Sequence, residues 1–592
     1  MDASLNCRHR YDRRLLVFSL TAGMVFVALF LRLADLQWRK HEQMHLQAEQ
    51  NRISIVPTLP VRGEVLDRYG RGLAVNHVSY RVQIIPDRVQ DMELTMLLLA
   101  YLLDWDEKHQ QQVEARLAES RSDRPVLIAD QLQWAAVAPL AARLHRFPGV
   151  DVLAGTHRHY PYGELGAHLI GYLAMANSED VADGFLPMEK VGRSGAESAF
   201  ENLLHGRLGY QQEEVDALGH RVGIYKHTPP EMGASIRLSI DIDLQQAAAE
   251  ALGDRSGAAV VLDVNSGEVL ALLSKPGFDT NQFITGLEVE QWQSWLGDPR
   301  HPLIDRSFQA AYPPASTFKL LTMLAGLDSS LPLMDESVYC SGQLELADRN
   351  LRCWKEEGHG YVNLRQAIAQ SCDVYFYQLG DKLGIDRLQA TAKKWGFGEA
   401  AGFILAGEKK GVVPGPKWKR YQGLGHWTRG ETMITAIGQG AMNATPLQIA
   451  RFAAAIANGG KLLVPQLEVD NPPLIERELD VKPQHLERLR QAMRSVVSSP
   501  KGTAHYRLSG SPWKIAGKTG TAQVIAMAED GDDEELLPDR HKDHAWFMGY
   551  APFDNPRIAF AIFVEHGGHG SSAAAPVAGA IVKAMAAKEA ES

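Results

Sequence analysis

The 592-residue chain has little cysteine, no excess of positive charge and only one long apolar run free of charge. Each shortage excludes something. Lysine and arginine number 61 against 71 aspartates and glutamates, a net charge of −10. Nothing in that balance points to nucleic acid, and the acidic surplus reads as solubility. The one long run, 15–31, holds 17 residues, near the lower limit for spanning a bilayer. It extends past Arg32 to Leu36 and Trp38, the arginine snorkelling and the tryptophan at the interface. Arg8, Arg10, Arg13 and Arg14 precede it. The positive-inside rule therefore places the N-terminus in the cytoplasm and everything after about residue 38 outside. A cleaved signal peptide is the alternative, but no small-x-small pattern follows the run directly, so an uncleaved single-pass anchor is expected. A second apolar stretch, 94–103, is too short to span and reads as a core helix.

The four cysteines are Cys7, Cys340, Cys353 and Cys372. With the topology above, only the last three are exported, and three cannot all pair within the chain. They are confined to one stretch with His359 among them, spaced Cys-x12-Cys-x5-His-x12-Cys. Three cysteines and a histidine are a common structural zinc complement. A Cys340–Cys353 disulfide beside a buried thiol, or three unconnected thiols, are the other readings. Zinc is placed ahead of them.

The remaining length suffices for two or more domains with sizeable cores, and 45% hydrophobic with 22% charged residues is ordinary for globular protein. The stretch that organises it is Tyr312-Pro313-Pro314-Ala315-Ser316-Thr317-Phe318-Lys319. The proline pair stops regular structure. A helical pattern then begins, with Phe318, Leu320, Leu321, Met323, Leu324 and Leu327 apolar. Ser316 falls at the helix N-terminus, with Lys319 one turn later on the same face. A serine hydroxyl is a weak nucleophile and needs a base beside it. A neutral lysine can serve, and burial or a second cation would lower its pKa. Ser-x-x-Lys alone is a weak signal; most instances are an exposed serine and a solvated lysine. Two later stretches change its weight: Ser371-Cys372-Asp373 and Lys518-Thr519-Gly520-Thr521.

Strand-like segments flank a helix-rich middle. Residues 257–273 read as a hairpin with a three-residue connection. Helical stretches fill 361–456, and strands return at 513–524, 545–551 and 557–564. Strands at both ends around helices predict an α+β arrangement, one antiparallel sheet with helices packed on it. Upstream, helical stretches are expected around 91–119 and 130–145, and 62–70 reads as a strand leading into a turn. The acidic run 529–535 reads as solvated, and His566-Gly567-Gly568-His569-Gly570 as a glycine-rich hairpin end rather than a metal site.

The three stretches at Ser316, Ser371 and Lys518, in this order, resemble the trio Ser-x-x-Lys, Ser-Asp-Asn and Lys-Thr-Gly of the penicilloyl-serine transferases: penicillin-binding proteins and class A β-lactamases. Arg62-Gly63-Glu64-Val65-Leu66-Asp67-Arg68-Tyr69-Gly70 and Gly192-Arg193-Ser194-Gly195-Ala196-Glu197, leading into Phe200-Glu201 and Leu204, are similar to the pedestal motifs of class B penicillin-binding proteins. Asp373, in place of the commoner asparagine, and Trp427-Thr428-Arg429-Gly430-Glu431-Thr432 ahead of Ile437-Gly438-Gln439-Gly440 resemble the elongation-specific penicillin-binding protein 2 more than the division-specific type. The resemblance covers nearly all of the chain beyond the anchor.

It implies a cytoplasmic tail at 1–14, a transmembrane anchor at 15–37, a pedestal of dimerisation type at 38–235 and a transpeptidase domain at 236–592, the last in the periplasm. Ser316 is then the nucleophile, Lys319 its base and Ser371 a proton relay, with Asp373 and Lys518 completing the catalytic set. Thr519 and Thr521 with Lys518 would hold a terminal carboxylate, Gly520 would let a substrate backbone approach, and an extended peptide would pair with this strand. The N–H groups of Ser316 and Thr521 would form the oxyanion hole. Ala315 stands where the family has glycine. The implied activity is peptidoglycan D,D-transpeptidation of stem peptides in cell-wall elongation, with β-lactams trapping the acyl-enzyme. No cofactor is needed for the chemistry; structural zinc on Cys340, Cys353, His359 and Cys372 would clamp the second motif. No glycosyltransferase domain precedes the pedestal, so a SEDS-family polymerase of the RodA type and other elongation proteins are the expected partners. A D,D-carboxypeptidase shares the acyl-enzyme and stays open. A non-catalytic β-lactam sensor or scaffold would be expected to carry a cytoplasmic signalling region, and only about 14 residues precede the anchor. A β-lactamase would have no use for a pedestal, and no deacylating glutamate can be assigned.

Overall fold

The computed structural model describes residues 2–40, 42, 53–122, 125–186, 189–215, 221–346, 349–524 and 541–591. The acidic run 529–535 lies outside them. The chain divides into two compact units, one of 1–61 with 206–233 and one of 62–205 with 234–592.

The smaller unit holds the N-terminal helix Asp2–Ala34, which continues through a wider turn at Asp35–Arg39. Residues 13–39 are long and apolar enough to cross a membrane, and the side chains of Leu15, Phe18, Phe26 and Phe30 are all exposed. Such a surface suits the hydrocarbon of a bilayer. The same unit contains a three-stranded antiparallel sheet, in the order Ile53–Thr58, Gly209–Val215, Arg221–Thr228.

In the larger unit, the strand Gly72–Ile84 is the spine of the upstream part. It pairs antiparallel with Val65–Leu66, Val126–Leu132 and Val150–His159. Helices Met92–Leu102, Glu107–Glu119 and Trp134–Ala141 accompany this sheet. Met96, Leu99, Val113, Val137 and Leu140 pack with Val82, Ile84 and Ile128 in a separate small core. The apolar stretch 94–103 is thus only partly the core helix expected. Leu97 and Tyr101 remain 65% and 84% exposed, because the helix has a core on one side only.

The two pedestal motifs, 130 residues apart in sequence, form one ion cluster. Arg62 bonds Glu197 Oε2 at 2.8 Å and Glu201 Oε2 at 2.6 Å, and Arg158 Nε donates to Glu197 Oε1 at 2.6 Å. Glu197 and Arg158 are buried. Opposite charges paired by several hydrogen bonds are what a low-dielectric interior tolerates.

The downstream part is built on a five-stranded, wholly antiparallel sheet. Its order is Val269–Lys275, Gly257–Asp263, Ile558–Val564, His544–Ala551, Ala516–Ala522. The expected hairpin is present, with five residues between its strands rather than three. Helix Pro446–Ala457 is buried along its whole length, capped by Thr445 and Gln448, and packs on the sheet; Pro483–Ser498 and Ala575–Glu591 also lie against it. The α+β arrangement with a flanked antiparallel sheet is the one the strand and helix pattern predicts. The segment at His566–Gly570 is not a hairpin end: it leads from the last strand into the short helix Gly570–Ala573.

Candidate active site

Pro314 ends the extended approach, and Ala315–Phe318 form one tight 3-10 turn running directly into the helix Lys319–Asp328. Residues three apart eclipse in such a turn, so Ser316 and Lys319 stand one above the other. Ser316 is half-buried, and Lys319 is fully buried. Ala315 adopts φ +50°, the left-handed conformation in which glycine is at ease. It is held there by its N–H, which donates to Gly438 O at 2.8 Å. Gly438 is itself at φ +74°, and a Cβ on it would lie 2.3 Å from Ala315 O.

Lys319 Nζ donates to Ser371 O at 2.9 Å, Ser371 Oγ at 3.3 Å and Asp373 Oδ1 at 2.7 Å. Lys518 Nζ donates to the same Ser371 Oγ at 2.8 Å and to Thr519 O at 2.9 Å. Two buried amines therefore share one hydroxyl. Burial, together with the charge of Lys319, pushes Lys518 well below the ordinary lysine range. Burial also raises the Asp373 carboxyl, against the opposing pull of Lys319. Ser371 sits at φ +56°, just before the helix Asp373–Leu383.

Among the described residues, the strand Ala516–Ala522 is at the edge of the sheet and pairs only with His544–Ala551. It carries Lys518, Thr519, Gly520 and Thr521 beside the serine turn. A Cβ at Gly520 would lie 3.0 Å from Trp546 Cβ and 3.3 Å from both Pro314 O and Thr317 Cγ2. Gly520 thus leaves room for Trp546 and for the serine turn.

Of the supporting residues, Thr503 and Trp354 had no signal in the sequence, whereas Gln439 lies in the motif 437–440. Thr503 Oγ1 lies 2.7 Å from Thr519 Oγ1. Trp354 donates its backbone N–H to Asp373 Oδ2 at 3.0 Å and its indole N–H to Gln370 O at 3.0 Å. Gln439 Nε2 reaches Thr521 O at 3.0 Å, and Trp546 Nε1 holds Pro313 O at 3.0 Å. These contacts join segments far apart in the chain, which no local pattern encodes.

Cys340, Cys353 and Cys372 are buried free thiols. With His359 they place one ligand atom each within 4.8 Å of one another. Cys340 Sγ and Cys353 Sγ each lie 3.6 Å from His359 Nδ1, and the Asp373 N–H points to Cys353 Sγ at 3.4 Å. Gly358, at φ +78°, lets its loop pass where a Cβ would lie 2.2 Å from Cys340 O. The Cys340–Cys353 disulfide considered from sequence is not formed.

The transpeptidase domain of penicillin-binding proteins matches residues 257–583, and the penicillin-binding protein dimerisation domain matches 57–238. The peptidoglycan D,D-transpeptidase MrdA of Escherichia coli K12 is 32% identical over 585 residues, covering 95% of this chain and 92% of that protein. MrdA of Acinetobacter baumannii is 34% identical over 572 residues, covering 93% and 85%. A penicillin-binding protein (PBP2) from Helicobacter pylori, solved in complex with MreC, superposes with a TM-score of 0.81 at 30% identity, covering 91% of this chain and 99% of that one. Family matches that together run from 57 to 583, and relatives aligned along almost their whole length, lead to one conclusion: the chain belongs to the penicillin-binding proteins that carry a dimerisation domain followed by a transpeptidase domain.

Proposed function

We propose that this chain is a peptidoglycan D,D-transpeptidase of cell-wall elongation, with Ser316 as its nucleophile. The observation that carries the reading is the convergence of Lys319 and Lys518 on Ser371 Oγ beside the serine turn. Ser316 Oγ attacks the carbonyl carbon between the two terminal D-alanines of a stem peptide. The C–N bond breaks as the proton that Lys319 took from Ser316 passes through Ser371 Oγ to the departing nitrogen, D-alanine leaves, and an ester to Ser316 remains. An amine from a neighbouring strand then attacks the ester, forming the cross-link and restoring the hydroxyl.

The proton path follows from the two amines. At rest the carboxylate is on Lys319 and burial drives Lys518 towards the neutral amine. Lys319 passes a proton to Ser371 Oγ, and Ser371 passes its own to Lys518. Lys319 is then the neutral base that takes the Ser316 proton. The charge now on Lys518 discourages return and, with Thr519 and Thr521, holds the terminal carboxylate of the donor. Asp373, itself held by the Trp354 N–H, positions the Lys319 amine. The N–H groups of Ser316 and Thr521 receive the oxyanion, an arrangement worth a few kcal/mol (~3) in such enzymes. The edge of Ala516–Ala522 takes the donor peptide as an added strand.

The cysteine–histidine cluster fits zinc. With Zn–S near 2.3 Å and Zn–N near 2.0 Å, a tetrahedral site has S···N edges of about 3.5 Å, and both observed separations are 3.6 Å. Cys340, Cys353, His359 and Cys372 would hold the ion, which would supply no chemistry, only a fixed seat for Ser371 and Asp373. The helix at 13–39 anchors the chain with its N-terminus in the cytoplasm and the catalytic domain outside, where a SEDS-family polymerase would supply glycan. The PBP2–MreC complex of the Helicobacter pylori relative favours elongation-complex partners.

The test is intact-mass spectrometry of the full-length chain with benzylpenicillin, beside Ser316→Ala, with zinc read by elemental analysis. One penicilloyl adduct, absent in Ser316→Ala, is expected; no adduct on the unaltered chain would overturn the reading. Cross-linked dimer from a stem-peptide donor and acceptor amine is expected, whereas release of D-alanine without dimer would make it a carboxypeptidase. Zinc-free protein whose Cys372→Ser variant acylates normally would remove the metal from the account.

A further inference from the structure

Away from the catalytic centre, the upstream sheet carries three histidines on one face. His77 and His157 are direct partners across the antiparallel strands Gly72–Ile84 and Val150–His159. His159, two residues on, shares the face of His157 because strand side chains alternate. Arg158, between them, points the other way into the buried cluster with Glu197. The His77 ring lies 5.8 Å from that of His157, edge to face, and 4.5 Å from that of His159, stacked. His157 Nδ1 is buried and has no hydrogen-bond partner. The charges whose fields reach the cluster are Asp130 on the neighbouring strand, Asp279 and, with the opposite sign, Lys190, and Asn281 hydrogen-bonds the His159 side chain.

We propose that His77, His157 and His159 form a second metal site, taking a borderline divalent ion such as Zn²⁺ on three imidazoles with one coordination position open. Three histidines are a known zinc complement, and imidazole suits the later first-row ions. Metal–nitrogen bonds of about 2.0 Å, with a nitrogen about 1.2 Å from its ring centre, put tetrahedrally arranged ring centres about 5 Å apart. The observed 4.5 and 5.8 Å bracket that value. The stacked His159 ring needs a turn about χ2, a soft torsion for histidine, to aim its nitrogen at the common point. His157 Nδ1, buried and without a hydrogen-bond partner, is the ring atom left to serve as a ligand in its deprotonated tautomer. Asp130 and Asp279 add negative charge near the rings, partly offset at His157 by Lys190. The bound ion would pin two strands of this sheet together and leave one position for a donor group from outside the chain.

The test uses the full-length chain and zinc itself. The exposed His77 is changed to glutamine, which leaves packing intact, and dialysed protein is assayed by elemental analysis and calorimetric titration. His77→Gln is expected to hold one zinc fewer per chain than the unaltered protein. In a Cys353→Ser background, which removes the sulfur cluster, one equivalent should still bind, at least tenfold more weakly once His77→Gln or His157→Gln is added. Equal zinc content with and without His77→Gln, or affinity in the Cys353→Ser background indifferent to both histidine changes, would overturn the site. Failure here leaves the Ser316 reading untouched, since neither histidine lies at the acylation centre.

Discussion

At the scale of single residues, the serine turn depends on two backbone positions. Ala315 is held in a left-handed conformation costing about 1 kcal/mol for a residue with a Cβ, and the bond to Gly438 O keeps it there. Gly438→Ala would drive a methyl into Ala315 O. We expect penicillin acylation to slow at least tenfold, since about 1 Å of misplacement can cost up to ~100-fold, with the folded core retained by circular dichroism. His544 gives a pH prediction. Burial and the neighbouring His566 lower it to about 4, and its Nδ1 accepts the His566 N–H at 3.0 Å. The unfolded chain takes this proton near pH 6.5, the native state only near 4. Stability is therefore complete above pH 6.5 and falls as pH drops towards 4, by at most about 3 kcal/mol because the ring is partly exposed. Thermal melts from pH 7 to 4 should show this decline, and His544→Gln should flatten it.

At the scale of elements, the buried cluster of Arg62, Arg158, Glu197 and Glu201 ties the loop before Val65–Leu66 to the strand Val150–His159 and the short helix Gly195–Ala199. Glu197 faces both arginines and has no exposure. Glu197→Ala leaves two guanidinium groups short of a partner in the interior and should cost about 3–5 kcal/mol, read as a lower denaturation midpoint. Asp381→Ala removes the exposed pair with Arg429 and should cost under about 1 kcal/mol. If the two variants unfold alike, the cluster is not the brace it resembles. Both motifs that meet here are visible in the sequence as glycine-rich patterns with conspicuous charges. That they meet is not visible, because ion pairing between positions 62 and 197 leaves no periodicity in either segment.

Within the larger unit, Lys588 on the C-terminal helix Ala575–Glu591 links distant parts of the chain. Its amine bonds Asp241 Oδ1 at 2.5 Å and Asp243 Oδ2 at 2.7 Å and lies 4.8 Å from the centre of the Tyr69 ring. Arg71 joins the same carboxylates and Asp67. The turn after Val65–Leu66, the cap of helix Ile242–Leu252 and the last helix are thus held at one point. Lys588→Met should lower stability by about 1–2 kcal/mol, since Asp241 is nearly fully buried and loses its closest cation. Acylation by penicillin should persist, because the point is outside the catalytic contacts. A variant as stable as the unaltered chain would show that Arg71 alone suffices.

The sequence by itself determined the elements and the chemistry-bearing residues. Apolar alternation and helical periodicity are local and survive in one dimension, so the five-stranded sheet, the buried helices and the apolar N-terminal helix were legible. The order of Ser316, Lys319, Ser371, Asp373 and Lys518 was legible too, because each sits in a short motif. Tertiary structure alone decided how they meet. It put both lysines on one hydroxyl, set Asp373 on Lys319, and laid Gly520 against Trp546 and the serine turn. It also supplied Trp354, Thr503 and Gln439 as supports and gathered three sulfurs and His359 into one cluster. It laid three histidines on a single face through a strand pairing with no sequence signature. The reason is physical: burial and close contact between distant segments create the desolvation, hydrogen bonds and convergent ligands, and these exist only once the chain has packed.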